Sequence, residues 1–222
     1  MVGRPQADVV GVLTRAPSAG GKSRLFAGLG RAPDPDLLAA LLLDTLDTIA
    51  VGGTSRVVVV EPAAACDEVR ALVPPDVEVI AQRGDSLGER MRQAMVDLFA
   101  RGAARVVLIG SDLPAIGPRP VREAVAVLTR DPAALVLGPA TDGGYYLIAA
   151  ARVPDVFDGI EWGGARVLAQ THAAAAAAQW PIALVESASD VDTVDDLRTL
   201  LARGGSSAAR TMAWARQHGV TG

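Results

Sequence analysis

The sequence predicts an α/β protein with one doubly wound, mostly parallel sheet and helices on both faces. Short β-branched runs alternate with longer Ala- and Leu-rich segments, which is the pattern of successive βαβ units. The runs are continuously apolar rather than alternating, as strands buried on both faces must be. No Pro/Gly/Ser linker divides the chain and no internal repeat is present. One domain over residues 1–222 is therefore expected.

The elements follow in order. "VVGVL" (Val9–Leu13) reads as the first strand. Asp36–Ala50 carries a helical stripe at Leu38, Leu41, Leu42, Leu46 and Ile49. "SRVVVVE" (Ser55–Glu61) and "DVEVIA" (Asp76–Ala81) are strands. Leu87–Ala100 is a helix with Leu87, Met91, Met95, Leu98 and Phe99 on one face. "RVVLIG" (Arg105–Gly110) is a strand. Pro118–Leu128 is a helix whose early prolines suit a first turn. "ALVLG" (Ala134–Gly138) and "YYLIAA" (Tyr145–Ala150) are strands. Ala165–Gln179, with six consecutive alanines, is a helix by propensity alone. "PIALVE" (Pro181–Glu186) is a strand. Thr193 caps a helix to Leu201 that opens with two carboxylates. A weakly attached helix at Ala208–Gln217 closes a peripheral tail from about residue 205.

Composition narrows the function. Half of the 222 residues are hydrophobic and the net charge is −4. That supports a sizeable core and argues against a nucleic-acid or anionic-membrane surface. No segment reaches a membrane span of roughly 20 apolar residues. The N-terminal run is too short for a signal peptide, and Arg4, Pro5 and Asp8 interrupt it. A single thiol, Cys66, forms no internal disulfide and no redox or metal pair. A cytoplasmic protein is expected.

In doubly wound sheets, ligands gather beyond the carboxyl ends of the strands. Four loops there carry chemistry. After the first strand come Thr14, Gly20, Gly21, Lys22, Ser23 and Arg24. After "RVVLIG" come Ser111 and Asp112. After "ALVLG" come Asp142, Gly143 and Gly144. After "PIALVE" come Asp190 and Asp192. Cations, carboxylates and diglycine turns together suit phosphates and a divalent metal, since Mg²⁺ takes one or two carboxylates and leaves other positions to water and phosphate. Each loop also has an ordinary explanation: a solvated basic turn, an Asx turn before Pro114, a hairpin turn at Asp142, and support for the Thr193 helix. Their meeting at one edge favours a site.

"RAPSAGGKSRL" ends like a P-loop, G-x-x-x-x-G-K-[ST]. The first glycine position holds Ala16, however. Gly28, Gly30, Pro33 and Pro35 leave room for little more than one helical turn after Ser23. A P-loop needs a long helix there to face the phosphates, so a different phosphate cradle is expected. Backbone N–H groups at Gly20 and Gly21 would turn toward the anion, with Lys22 and Arg24 adding charge.

"LTRAPSAGGKSRL", "GERM", "LIGSDLPAI", "LGPATDGGYYLI", "EWGGARVL" and "DVDTVDDL" occur in this order. Over about Val9–Leu201 the chain resembles bacterial nucleotide-diphospho-sugar transferase-like proteins, often labelled glycosyltransferases of the arsenosugar-biosynthesis type. It is also similar to guanylyltransferases that make phospholactate-type precursors of a deazaflavin cofactor. The resemblance implies a GT-A fold, a three-layer α/β/α sandwich with a Rossmann-like sheet. It implies nucleotide and phosphate contacts at Thr14, Gly20, Gly21, Lys22, Arg24 and Ser111. It implies Mg²⁺ or Mn²⁺ held by Asp112 with Asp190 or Asp192, and an acceptor pocket at Asp142, Gly143, Gly144 and Trp162. Two stretches depart from the family pattern. The first loop is usually nearer "KAPVPGRVKTRL", and Trp162-Gly163-Gly164 stands where Trp-Ser-Thr is usual.

Two reactions suit such a site. In nucleotidyl transfer, a small phosphorylated or acidic acceptor attacks a nucleoside triphosphate and pyrophosphate leaves; the Lys/Arg loop favours this reaction. In glycosyl transfer, an acceptor hydroxyl attacks a nucleotide sugar, with Asp142 as the candidate base. A nucleotide-binding module without catalysis is the third reading, and the acidic residues argue against it.

Overall fold

The computed structural model describes residues 7–204 and 207–222. Arg4 and Pro5, and the first two residues of the expected tail, lie outside the described residues. The strands are β1 (Ala7–Arg15), β2 (Thr54–Glu61), β3 (Glu78–Ala81), β4 (Ala103–Gly110), β5 (Leu135–Pro139), β6 (Tyr145–Ala150) and β7 (Ile182–Leu184). The helices are α1 (Ser23–Gly28), α2 (Pro35–Thr48), α3 (Cys66–Leu72), α4 (Leu87–Ala100), α5 (Arg119–Arg130), α6 (Val167–Ala177), α7 (Val194–Arg203) and α8 (Ala209–Gln217). All seven expected strands form, and α1 and α3 are additional helices. Only Val69 of α3 is buried, so that helix has almost no apolar stripe to announce it.

The sheet runs β3-β2-β1-β4-β6-β5-β7. Neighbours are parallel except for β6, which is antiparallel to both β4 and β5. β5 and β6 form a hairpin whose turn holds Asp142. The hairpin reading of that segment is therefore realised at the same strand edge where a site was expected.

Successive side chains point to opposite faces of a strand, and β2 shows the consequence. Val58 and Val60 join a core with Val10, Val12, Leu42 and Leu46. Val57 and Val59 join the opposite core with Met91, Met95 and Leu98. Helices α2 and α5 cover the first face and α4 covers the second, giving the expected three layers. These two faces hold most of the buried apolar residues.

A third cluster bears most directly on the site. Leu25 and Phe26 of α1, Leu37 and Leu41 of α2, Val191, Leu197 of α7 and Trp214 of α8 pack together. The loop after β1 and the loop before α7 are thus anchored in one apolar knot. Thr193 caps α7 by accepting from Asp196 N, and the Asp196 carboxylate accepts from Thr193 N at 2.7 Å. This reciprocal capping box fixes where the preceding aspartates leave the helix.

The last helix is not weakly attached. Asp44 of α2 is 3% exposed, and its Oδ2 accepts from Thr211 N and Thr211 Oγ1, each at 2.8 Å. Trp214 Nε1 donates to Asp34 Oδ2 at 2.9 Å. Ala- and Arg-rich composition concealed this docking, because the partner carboxylate comes from a helix 167 residues away.

Candidate active site

The four chemistry-bearing loops meet at the carboxyl edge of the parallel strands. The first leaves β1 through a buried Ala16, whose N–H donates to Glu61 O at 2.7 Å. A side chain at this position packs in the core, so the missing P-loop glycine is no defect. A short 3₁₀ turn over Pro17–Ala19 follows. Gly20, Gly21 and Lys22 then have φ of 69°, 137° and 50°. Three left-handed residues in a row reverse the chain into α1. Only Lys22 among them carries a side chain, at a cost of about 1 kcal/mol. α1 ends after six residues, as the Gly and Pro content of the sequence requires.

Lys22 points inward and is 14% exposed. Its ammonium bonds the Asp112 carboxylate and lies 3.3 Å from Asp192 Oδ1 and 3.7 Å from Asp190 Oδ2. Arg24 pairs with Asp192 and is otherwise largely exposed. Asp190 and Asp192 flank Val191, which is 4% exposed. Burying the middle residue turns its two neighbours toward the lysine. Burial opposes the Lys22 charge, but Asp112, then Asp190 and Asp192, outweigh it and raise its pKa. Burial, and then the charge of Asp112, push Asp190 up to about 6 against the pull of Lys22.

Other contacts fix Asp112. Thr45 of α2 is fully buried; its hydroxyl donates to Ser111 O and accepts from Leu113 N, both at 3.1 Å. Val191 N donates to Asp112 O at 2.9 Å. A Cβ on Gly110 would stand 2.8 Å from Asp112 Oδ1, so glycine there leaves room for the carboxylate.

The donor set suits a hard divalent ion: three carboxylates converge on one cation. Among the described residues, no group of three or more His, Cys, Asp or Glu is arranged to hold a metal ion by itself. Mg²⁺ is satisfied by one or two carboxylates with water and phosphate, so the residues fit such an ion once the Lys22 ammonium has moved to an anion.

Two cavities meet here. The first, about 500 Å³, is bordered by Thr14, Gly20, Gly21, Lys22, Ser111, Asp112 and Asp192, together with Arg15, Glu61, Gln82 and Arg90. The second, about 260 Å³, is bordered by Leu87, Met91, Tyr145 and Trp162, with Asp112, Asp142, Gly144 and Asp190. Leu13, Leu87, Gly110 and Asp112 border both. Gly143 belongs to neither: at φ 90° its Cα faces Ala165 O, which a Cβ would meet at 2.1 Å. It holds the hairpin turn against the segment before α6, so its expected place in a pocket lining is corrected to a supporting one.

Glu61, Gln82 and Arg90 were not singled out from the sequence. Glu61 and Gln82 end or follow β2 and β3, so the strand-end rule would have found them. Arg90 lies in the "GERM" motif; it pairs with Glu61, and its Nε is buried without a hydrogen-bond partner among the described residues. Such an orphaned buried donor is uncommon, and the Arg90 side chain borders the first cavity.

Residues 45–164 match the family described as "Uncharacterized protein conserved in bacteria (DUF2064)". The chain belongs to the DUF2064 family. A protein from Desulfovibrio desulfuricans G20, provisionally described as a nucleotide-diphospho-sugar transferase, is 32% identical over 96% of each chain, with a TM-score of 0.85. Two more distant structures share the fold. A cytidylyltransferase from Leptospira borgpetersenii is 12% identical with a TM-score of 0.59 over 96% of this chain and 95% of its own. CMP:2-keto-3-deoxy-manno-octonic acid synthetase in complex with CTP is 18% identical with a TM-score of 0.57 over 89% and 99%. No curated protein shows significant sequence similarity to the chain. The GT-A-type sandwich expected for this DUF2064 protein is the fold that these neighbours share. No helix among its described residues is long and apolar enough to cross a membrane.

Proposed function

We propose that this DUF2064 protein is a metal-dependent transferase that uses an activated nucleotide, with nucleotidyl transfer the favoured reaction. The observation that carries this is the meeting of two cavities at Asp112, one bordered by Lys22 and the diglycine turn, the other largely apolar. A transferase needs two substrates side by side with a charge-handling group between them. The description of the D. desulfuricans relative supports the same class.

Lys22, Arg24 and the Gly20–Gly21 backbone bind the nucleotide phosphates, and Thr14 and Ser111 border that space. Lys22 turns from the aspartates to the phosphates when the nucleotide enters. Asp112, with Asp190 or Asp192, would hold Mg²⁺ or Mn²⁺, which neutralises charge on the phosphates when bound. Arg90, which borders the same cavity, adds positive charge for the phosphates. Asp142 and Trp162 border the acceptor, and Asp142 takes its proton. Alignment and charge neutralisation then account for most of the rate.

Glycosyl transfer from a nucleotide sugar is the alternative, favoured by the relative's description. One assay separates the two. The protein is incubated with Mg²⁺, a panel of small acceptors, and either nucleoside triphosphates or nucleotide sugars. Pyrophosphate release supports nucleotidyl transfer. Nucleoside diphosphate released from a sugar nucleotide supports glycosyl transfer, and release of neither contradicts both.

A further inference from the structure

We propose that the acceptor is an uncharged alcohol with an apolar, ring-sized body. This deepens the transferase reading above and rests on it. At about 260 Å³, the second cavity is near the lower bound of small-ligand pockets, roughly 300 Å³. Its walls are Leu87, Met91, Ile148, Tyr145, Trp162 and Val167. The two aromatic walls are closely packed. The Trp162 indole lies where a Cβ on Gly88 would be, 2.6–2.8 Å away, and meets Tyr145 edge-on at 6.3 Å and 80°. Such aromatic walls favour a flat or cyclic apolar body.

The charges argue against the phosphorylated or acidic acceptor suggested by the sequence. Among the described residues no Lys, Arg or His borders this cavity, whereas Asp142 does, and so do Asp112 and Asp190, whose charge a bound divalent ion would offset. An anion moved out of water needs a paired cation or several donors. Gly144, Gly163 and Gly164 bring no side-chain donor, and the Tyr146 hydroxyl is already given to Glu186 O at 2.8 Å, which leaves the uncharged Tyr145 hydroxyl and Trp162 Nε1–H as side-chain donors at the wall. Lys22 is engaged by three aspartates and turns to the phosphates once a nucleotide enters, so it is not free for an acceptor anion.

A hydroxyl fits where an anion does not, because carboxylates accept its proton. Asp142 Oδ1 accepts from Gly144 N at 2.9 Å, which leaves Oδ2 for the acceptor. In nucleotidyl transfer the acceptor oxygen forms the new bond to the α-phosphorus. The bond from that phosphorus to pyrophosphate breaks, and its electron pair leaves with pyrophosphate. The hydroxyl proton passes to Asp142.

Three probes of one shape test this: 2-phenylethanol, phenylacetate and 2-phenylethyl phosphate, titrated by saturation-transfer NMR with and without Mg²⁺ and a nucleoside triphosphate. The alcohol is expected to bind at least tenfold more tightly than either anion. Trp162→Leu should weaken it about fivefold, and Asp142→Asn should narrow the gap by improving the anions. Equal or tighter binding of either anion overturns the proposal, as does binding of none of the three. Nucleotide titrations in the same samples judge the transferase reading separately. Failure of nucleotide binding with the probe order intact removes that reading, whereas nucleotide binding with the order reversed removes only the acceptor class.

Discussion

The backbone N–H of Val191 donates to the carbonyl oxygen of Asp112 at 2.9 Å. This bond ties the loop after β4 to the loop before α7, which is distant in sequence. It sets Asp190 and Asp192 on either side of the same lysine that bonds Asp112. Asp112→Asn should therefore keep the fold, its thermal midpoint staying within a few degrees of the parent. Turnover should fall at least about a hundredfold, since an amide is a poor ligand for a hard cation. Activity and calorimetric unfolding of the same preparation check this, and unaltered turnover would remove Asp112 from the site.

Asp190 makes the site sensitive to acid. Its folded pKa of about 6 lies above its ordinary 3.8. Between those values the folded chain holds a proton that the unfolded chain has released. For this group, stability therefore increases as pH falls from about 6 toward 4. Metal binding requires the ionised carboxylate, so affinity should move the other way, with Mn²⁺ binding roughly tenfold weaker at about pH 5 than at pH 7. Isothermal titration at the two pH values reads it; equal affinities would mean that Asp190 takes no part.

Thr45 is a positioning residue. Thr45→Val removes both hydrogen bonds to the Ser111–Leu113 turn and leaves Leu113 N buried without its partner, costing about 1–3 kcal/mol. Metal affinity should fall as well, because Asp112 loses its support. Thr45→Ser, which restores the hydroxyl, should recover the affinity. A purely structural role would lower stability in Thr45→Val and leave metal affinity unchanged.

Gly88→Ala places a methyl group where the Trp162 ring now lies. The indole must move, so the acceptor KM should rise severalfold while the KM for the nucleotide stays near the parent value. Steady-state kinetics with each substrate varied in turn separates these outcomes. Equal rises in both would place Trp162 outside the acceptor cavity.

Asp44→Ala should cost about 2–3 kcal/mol, because Thr211 loses a charged acceptor for both its N–H and its hydroxyl in a buried setting. Chemical denaturation measures it, and a change within about 0.5 kcal/mol would mean that α8 is not held by this carboxylate.

The sheet was legible because each strand is a compact apolar run, and the four site loops because they follow those runs. What stayed hidden depends on contacts between distant residues. Nothing near Thr211 announces Asp44, and nothing near Asp112 announces Thr45. Gly143 read as a pocket residue because it sits beside Asp142, but its φ of 90° and the nearby Ala165 carbonyl give it a supporting role. The proposed acceptor class departs from the sequence expectation for a related reason. Lys22 and Arg24 in the sequence suggested anions throughout, whereas Lys22 borders one cavity, Arg24 pairs with Asp192 and borders neither, and carboxylates are the charged groups at the other cavity among the described residues.

Calorimetric titration of a nucleoside triphosphate with Mg²⁺ tests the central claim most directly. The parent protein should bind it at least tenfold more tightly than the bare nucleoside, and the excess should need Mg²⁺. Lys22→Ala should lose most of that excess while nucleoside affinity stays unchanged, and Asp112→Asn should lose the Mg²⁺ dependence. Equal affinity for nucleoside and triphosphate in the parent, or no effect of either substitution, would contradict a metal–nucleotide site at Lys22 and Asp112.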